Sequence, residues 1–291
     1  MRVGGLVGDN QGGFITGCYA TGSVSGWHDV GGLLGYNVEG TITDCYATGP
    51  VSGDYCVGGL VGMNWEGAIT GCYASGSVSG CEYYVGGLLG YNGKGTITGC
   101  YATGSVSGDY YVGGLVGYNE EGFITGCHST TSVTVEGCSD VGGLVGYNEE
   151  GSITDCHAAG SVNGESQIGG LIGFNLDGSV TNSYFNGEVR SEFIVVGGLV
   201  GENLEGSITG CHATASVSGY GYVGGLVGGP VLGLVEPTPV EAAHRTIGRR
   251  HEHTVDPLDH AREVGAEFVD VGDLAVAGHV ALDGLPFRGS D

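Results

Sequence analysis

Apolar residues in this chain alternate with small or polar ones over short runs, and no run shows the 3.6-residue apolar period of a helix. Period-two alternation bounded by glycine and asparagine is the pattern of short β-strands joined by tight turns. The runs themselves repeat. Val-Gly-Gly-Leu begins at Val3, Val30, Val57, Val85, Val112, Val141, Val196 and Val223, and as Ile-Gly-Gly-Leu at Ile168, with spacings of 27 to 29 residues. Self-similarity at this period marks a solenoid, because a propeller blade needs ~40–50 residues. Eight units are complete, and a ninth breaks off at Gly229-Pro230.

The unit that starts at Val85 predicts three β-type stretches, at 85–90, 96–103 and 105–107. Turns at 91–95 and at Gly104 separate them, and residues 108–111 form the separator in which unit length varies. Such a unit is one three-sided coil of a parallel sheet. Coils stack ~4.8 Å apart, so about eight of them give a rod of about 40 Å. The expected fold is therefore an all-β parallel β-solenoid over residues 1–229, with a linker and tail of unknown role over 230–291.

Several columns are constant from coil to coil. An asparagine closes the first stretch at Asn10, Asn37, Asn64, Asn92, Asn119, Asn148, Asn175 and Asn203. Its amide is expected to bond the identical amide in the coils above and below, as a structural ladder. A glycine three residues later, from Gly13 to Gly206, is expected to supply positive φ to a turn. Ile15 and its equivalents, and the later column from Val24 to Val217, should form the dry interior, with Ala20, Ala47 and Ala74 filling narrower space. Strict alternation from Val3 would expose Leu6 and its equivalents, whereas a bulge hidden in the glycine pair would bury them. The pattern leaves both open.

Seven of the ten cysteines share one column, Cys18, Cys45, Cys72, Cys100, Cys127, Cys156 and Cys211, with Ser183 in the remaining coil. Side chains in register on parallel neighbours point the same way, which suits disulfides badly, and no Cys-x-x-Cys pair suggests a metal. A buried ladder of small apolar groups is the expectation. Cys56, Cys81 and Cys138 lie in the separators, and Cys56 and Cys81 are placed to pair in an oxidising compartment.

The residue after each column cysteine should face outward. That gives a stripe of Tyr19, Tyr46, Tyr73, Tyr101, His128, His157, Tyr184 and His212 flanked by threonines. Such a stripe either stacks on sugar rings or stabilises itself by ring stacking along the rod. A second hydroxyl array (Ser23 with Ser25, Ser77 with Ser79, Ser105 with Ser107) has the flatness of an ice-binding ladder, but Pro50, Glu188 and Arg190 interrupt it. Acids gather in the first turn, at Glu39, Glu66, Glu120, Glu121, Glu149, Glu150, Asp177 and Glu205. A calcium nonapeptide would need a carboxylate where this chain has its asparagine, so a solvated ridge is expected.

Composition narrows the function classes. Thirty-two acids against eight bases give a formal charge of −24, which excludes phosphate neutralisation and with it nucleic acid as a partner. No segment approaches the ~20 apolar residues of a membrane span. No catalytic residue, metal or cofactor is predicted. The repeat starts within three residues of Met1, without an apolar leader or an atypical first coil, so the chain is expected to be part of a longer one.

The phrase Gly58-Gly59-Leu60-Val61-Gly62, repeated as Gly197-Gly198-Leu199-Val200-Gly201, resembles the GLUG motif. The run Gly-x-Ile-Thr-x-Cys-Tyr-Ala-Thr-Gly-x-Val from Gly40 to Val51 is similar to that family too. The likeness covers residues 3 to about 228. It implies an extracellular or cell-surface repeat, as in large adhesin-like proteins or the non-catalytic part of some secreted peptidases, and it transfers no catalytic residue. Glycans and host or matrix surface proteins are the partners it implies.

Two readings of function remain. One is a non-enzymatic module, a stalk or an adhesin-like binding surface. The other is a carbohydrate-active β-helix enzyme, which needs two carboxylates about 5–10 Å apart, whereas Asp44 and Asp155 lie three coils or more apart. In the tail, Pro237-Thr238-Pro239 is expected as a linker and Asp256-Pro257 as a helix start ending near Gly265. His251, His253 and His260 are weak metal candidates there, and His251-Glu252-His253-Thr254-Val255 falls short of the zinc-peptidase pattern.

Overall fold

A computed structural model describes residues 1–191, 194–236 and 244–247, the last four and residues 136–139 by backbone alone. It is an all-β parallel solenoid of about eight turns, with no helix among the described residues. Every pairing joins a strand to its equivalent one coil away. Val61 pairs with Leu89, Asn64 with Asn92, and Ile69 with Ile97. The strands gather into two sheets, of sixteen and nineteen members.

Each inner coil holds four strands where three stretches are expected. The coil that starts at Val85 has Leu89–Gly93, Thr96–Thr98, Tyr101–Ala102 and Ser105–Gly113. The stretch 85–90 is interrupted at its glycine pair. The amides of Leu88 and Leu89 both donate to the carbonyl of Leu115, at 2.9 and 3.0 Å, the bonding pattern of a bulge, and period two breaks there as the chain passes from one sheet to the other. This bulge settles the leucine column. Leu88 and Leu89 are consecutive yet both wholly buried, as are Leu33 with Leu34 and Leu60 with Val61. The stretch 96–103 is broken by a corner at Gly99, where φ is 61°. Asp44, Gly71, Gly126, Asp155 and Asn182 make the same corner elsewhere. The separator is strand rather than turn, because residues 108–111 lie within Ser105–Gly113 and the extra residues are absorbed as register shifts at Gly53/Tyr55, Ser79/Tyr83 and Gly108/Tyr110.

The glycine pair is a steric requirement. A Cβ on Gly58 would lie 1.9 Å from the Val61 carbonyl oxygen, and one on Gly59 would lie 2.1 Å from the carbonyl oxygen of Gly87 in the next coil. The backbone can fold back and stack only where neither residue has a side chain.

The asparagines stand at the centre of the cross-coil bonding. Each Nδ2 donates to the glycine carbonyl three residues on in its own coil and to Oδ1 of the asparagine in the next. For Asn92 these bonds reach Gly95 at 3.1 Å and Asn119 at 2.8 Å. Seven such amide-to-amide bonds, at 2.7 or 2.8 Å, run from Asn10 to Asn203. From Asn37 onward these side chains are fully buried.

The glycine that follows does not supply positive φ, contrary to expectation. That conformation falls one residue earlier, on Glu39, Glu66, Lys94, Glu121, Glu150, Asp177 and Glu205, with φ between 49° and 56°. The glycine is constant because a Cβ on Gly67 would lie 2.2 Å from Asn37 Nδ2 and 2.4 Å from Asn64 Oδ1. It keeps the amide channel open.

The boundary expected at residue 229 falls inside the sheet. Val231–Val235 pairs in parallel with 200–209, and Val231 stands opposite Asn203 where another asparagine would continue the ladder. His244–Ile247 likewise pairs with His212–Gly219. The motif is lost after Pro230, but strand pairing uses backbone groups and tolerates the change. The linker expected at 237–239, the helix expected from Asp256, and the histidines 251, 253 and 260 lie outside the described residues.

Replacing Asn119 by alanine would leave Asn148 Oδ1 and one N–H of the Asn92 amide without partners in the interior, while the Gly122 carbonyl keeps the Ser152 amide. Each orphaned buried group costs about 1–3 kcal/mol, so Asn119→Ala should lower unfolding stability by several kcal/mol. Asn203→Ala, with one asparagine neighbour instead of two, should cost less. Denaturant titration of both variants measures the difference.

Candidate functional site

Tyr19, Tyr46, Tyr73, Tyr101, His128, His157, Tyr184 and His212 form one continuous stack on the outside of the rod. Their ring centroids are 4.9–5.1 Å apart and neighbouring planes lie within 10° of parallel. In-register pairing causes this directly: Tyr73 stands opposite Tyr46 and Tyr101, and His128 opposite His157, so the rings inherit the strand spacing. Each inner ring has its neighbours against both faces. What the column offers to solvent is therefore ring edges, the phenol hydroxyls and imidazole nitrogens, rather than open faces for a sugar.

Beside the rings lie exposed hydroxyl columns. The side chains of Thr103, Ser105 and Ser107 point outward, while Ala102 and Val106 point in. Ser25, Ser52, Ser79 and Ser107 align in register. The interruption at coil seven is an ion pair, Arg190 Nε to Glu188 Oε1 at 2.8 Å.

The cysteine column is buried from Cys45 onward and its thiols are not joined in disulfides. It is more than a file of small apolar groups. From Cys45 to Cys156 each sulfur accepts the cysteine amide of the preceding coil, as Cys72 Sγ does from Cys45 at 3.3 Å, and donates to the carbonyl two residues back, Thr70, at 3.2 Å. Ser183 makes the same bonds, accepting from the Cys156 amide at 3.1 Å and donating to Thr181 at 2.8 Å. Burial pushes the Cys45 and Cys211 thiols up, which keeps them protonated as donors. Cys56 and Cys81 are both free. The pairing anticipated for them fails because Cys56 sits one residue beyond Tyr55, which stands opposite Tyr83, while Cys81 lies in the register shift before it. The side chain of Cys138 lies outside the described residues.

The acids of the first turn divide in two. Glu39, Glu66, Glu121, Glu150, Asp177 and Glu205 are exposed, and Glu121 pairs with Lys94 at 3.3 Å. Glu120 and Glu149 instead accept hydrogen bonds from the hydroxyls of Tyr91 and Tyr118. These tyrosines belong to a second aromatic cluster that alternation alone does not reveal. Tyr91, Tyr118, Tyr147 and Phe174 stack at 5.0–5.4 Å. Tyr84 and Tyr111, stacked on each other, meet them edge-on at 5.1–5.5 Å. The two columns are seven residues apart in sequence and meet across the bulge and the left-handed residue before Val85 or Val112 (Tyr84, φ 64°; Tyr111, φ 53°). The visible signal was the Tyr-Tyr pair in two separators. Burial and the Glu149 carboxylate push the Tyr147 hydroxyl up to about 12.

Eight matches to the GLUG-motif family model tile the chain, at residues 1–25, 28–52, 53–79, 82–107, 108–134, 137–163, 164–190 and 194–218. The chain belongs to the GLUG family. No curated protein and no solved structure matches it. The motif's glycines and its aliphatic pair are the bulge described above, so the GLUG phrase encodes coil stacking and carries no chemistry of its own.

Cys127→Ser in this GLUG array should be nearly neutral, since Ser183 performs the same bonding, whereas Cys127→Ala removes an acceptor and a donor and should cost about 1–3 kcal/mol. Thermal unfolding distinguishes them. The paired imidazoles add a pH dependence. Burial, and then repulsion from His128, lower the pKa of His157 below its usual 6.5. The unfolded chain then binds the proton more tightly, so this contribution to stability is complete above pH 6.5 and is lost as pH falls through the lowered value. His157→Tyr should flatten the melting-temperature profile between about pH 5 and 7.

Proposed function

We propose that this solenoid is a non-catalytic extracellular repeat module that holds extended glycans along its hydroxyl columns, with the Tyr/His ladder as one border. The observation that carries this reading is the unbroken register. It displays exposed Thr/Ser columns and ring edges coil after coil, broken where Pro50, Glu188 and Arg190 stand, a spacing suited to many weak contacts with a repeating polymer. Hydroxyls and phenols both donate and accept, as sugar hydroxyls do. Because the ring faces are covered by neighbouring rings, recognition is by hydrogen bonding at ring edges. Membership of a family that resembles adhesin-like surface proteins supports an extracellular setting, and the stiff stack suits a stalk as well as a binding surface.

The enzyme reading is the weaker one. Asp44 and Asp155 occupy the same corner position four coils apart, which is about 19 Å against the 5–10 Å of a glycosidase pair. A glycan array read for retention, followed by chromatography of the bound sugar, tests the proposal. Binding of intact polysaccharide is expected, tightening with chain length and weakened by Ser77→Arg with Ser105→Arg. Release of shortened sugars would establish turnover and overturn it, and an array with no bound glycan would reduce the module to a spacer.

A further inference from the structure

The described chain has three basic side chains, and two of them sit on aromatic rings beside a carboxylate of a neighbouring coil. The guanidinium of Arg2 lies 3.7 Å from the ring centroid of Tyr36 and pairs with Asp9 and, at 3.6 Å, with Asp29. The ammonium of Lys94 lies 5.9 Å from the Trp65 ring and 3.3 Å from Glu121. Tyr36 is the first ring of the column that continues, with Met63 intervening, as Tyr91, Tyr118 and Tyr147. Asp29 precedes Val30 as Tyr84 precedes Val85 and Tyr111 precedes Val112, and all three are left-handed. The face that receives Arg2 in the first coils is thus the face that carries the Tyr84/Tyr111 cluster further along.

In those later coils the face is built for cations but holds none of its own among the described residues. Glu120 and Glu149 each accept a tyrosine hydroxyl through Oε2, leaving the second oxygen for another donor. Five tyrosines surround them, half-buried and held by mutual edge and stacking contacts. With the ring faces covered by one another, the edge hydroxyls and the carboxylates, in a partly desolvated setting, favour a guanidinium, which donates several hydrogen bonds in one plane. The formal charge of −24 adds long-range attraction for a basic partner.

We propose that the Tyr84/Tyr111 face, with Glu120 and Glu149, docks an arginine-bearing polypeptide segment of a partner protein through its carboxylates and tyrosine hydroxyls. This surface is separate from the hydroxyl columns and does not depend on glycan binding.

The test is calorimetric titration of the full chain with an oligoarginine peptide of about eight residues, which spans ~27 Å when extended and so crosses the cluster. Oligolysine of equal length is the comparison. A protein this acidic attracts any polycation, so the decisive measurement pairs two variants of equal charge. Glu120→Gln with Glu149→Gln changes the face, and Glu121→Gln with Glu150→Gln changes the adjacent exposed positions. The face pair should weaken oligoarginine binding about tenfold and the adjacent pair less than about twofold. Oligolysine should bind more weakly than oligoarginine, and Tyr111→Ser should remove that preference. Circular dichroism of each variant verifies the fold. Equal losses from the two carboxylate pairs, or no preference for arginine, would overturn the proposal by reducing the attraction to net charge.

Discussion

A buried carboxamide has two donors and one acceptor to satisfy, and in this solenoid they are satisfied only when every coil is in the same register. The bond from one asparagine to the next is therefore the constraint from which the rest follows. A shift of one residue between coils would leave a file of orphaned amides in a dry interior, at a cost of about 1–3 kcal/mol for each group. Apolar columns alone would not penalise slippage so sharply, because valine, isoleucine and leucine pack in more than one arrangement. The glycine three residues on gives the amide its channel, and the left-handed acid before that glycine lets the chain turn around it. The price is a glutamate or aspartate in a conformation that side chains resist.

Register held in this way propagates outward. The rings from Tyr19 to His212 stack because their strands are aligned, not because the rings sought each other. The thiols do inside the corner what the amides do inside the first turn, bonding one coil's backbone to the next through a side chain. Amides, thiols and rings thus run as three parallel files along one rod, each with its own chemistry and all sharing one spacing.

Much of this was legible in the sequence, for identifiable reasons. Alternation locates the interior at Ile42, Ala47 and Val51 because those residues lie on strands, where period two holds. It fails at Leu33 because a bulge places two consecutive residues on the same side, and the pattern records a bulge only as a pair of glycines. Gly67 reads as a left-handed turn residue in the sequence because glycine has two uses, left-handed backbone and close approach, and composition does not tell them apart. Tyr84 and Tyr91 form one cluster across a fold in the chain that no periodicity describes. The motif stops at Gly229 while the sheet runs on, because Val231 to Val235 pairs through backbone groups that need no motif.

The amide file also has a direction. From Asn10 to Asn175 each Nδ2 hands one proton toward the C-terminal coil, and from Asn37 to Asn203 each Oδ1 faces the N-terminal one, so the side-chain dipoles point head to tail along the axis. An amide turned over by itself would set donor against donor on one side and acceptor against acceptor on the other. No single residue can reverse while its neighbours stay. The column is ordered as a unit, and it gives the two ends of an otherwise repetitive rod opposite polarity.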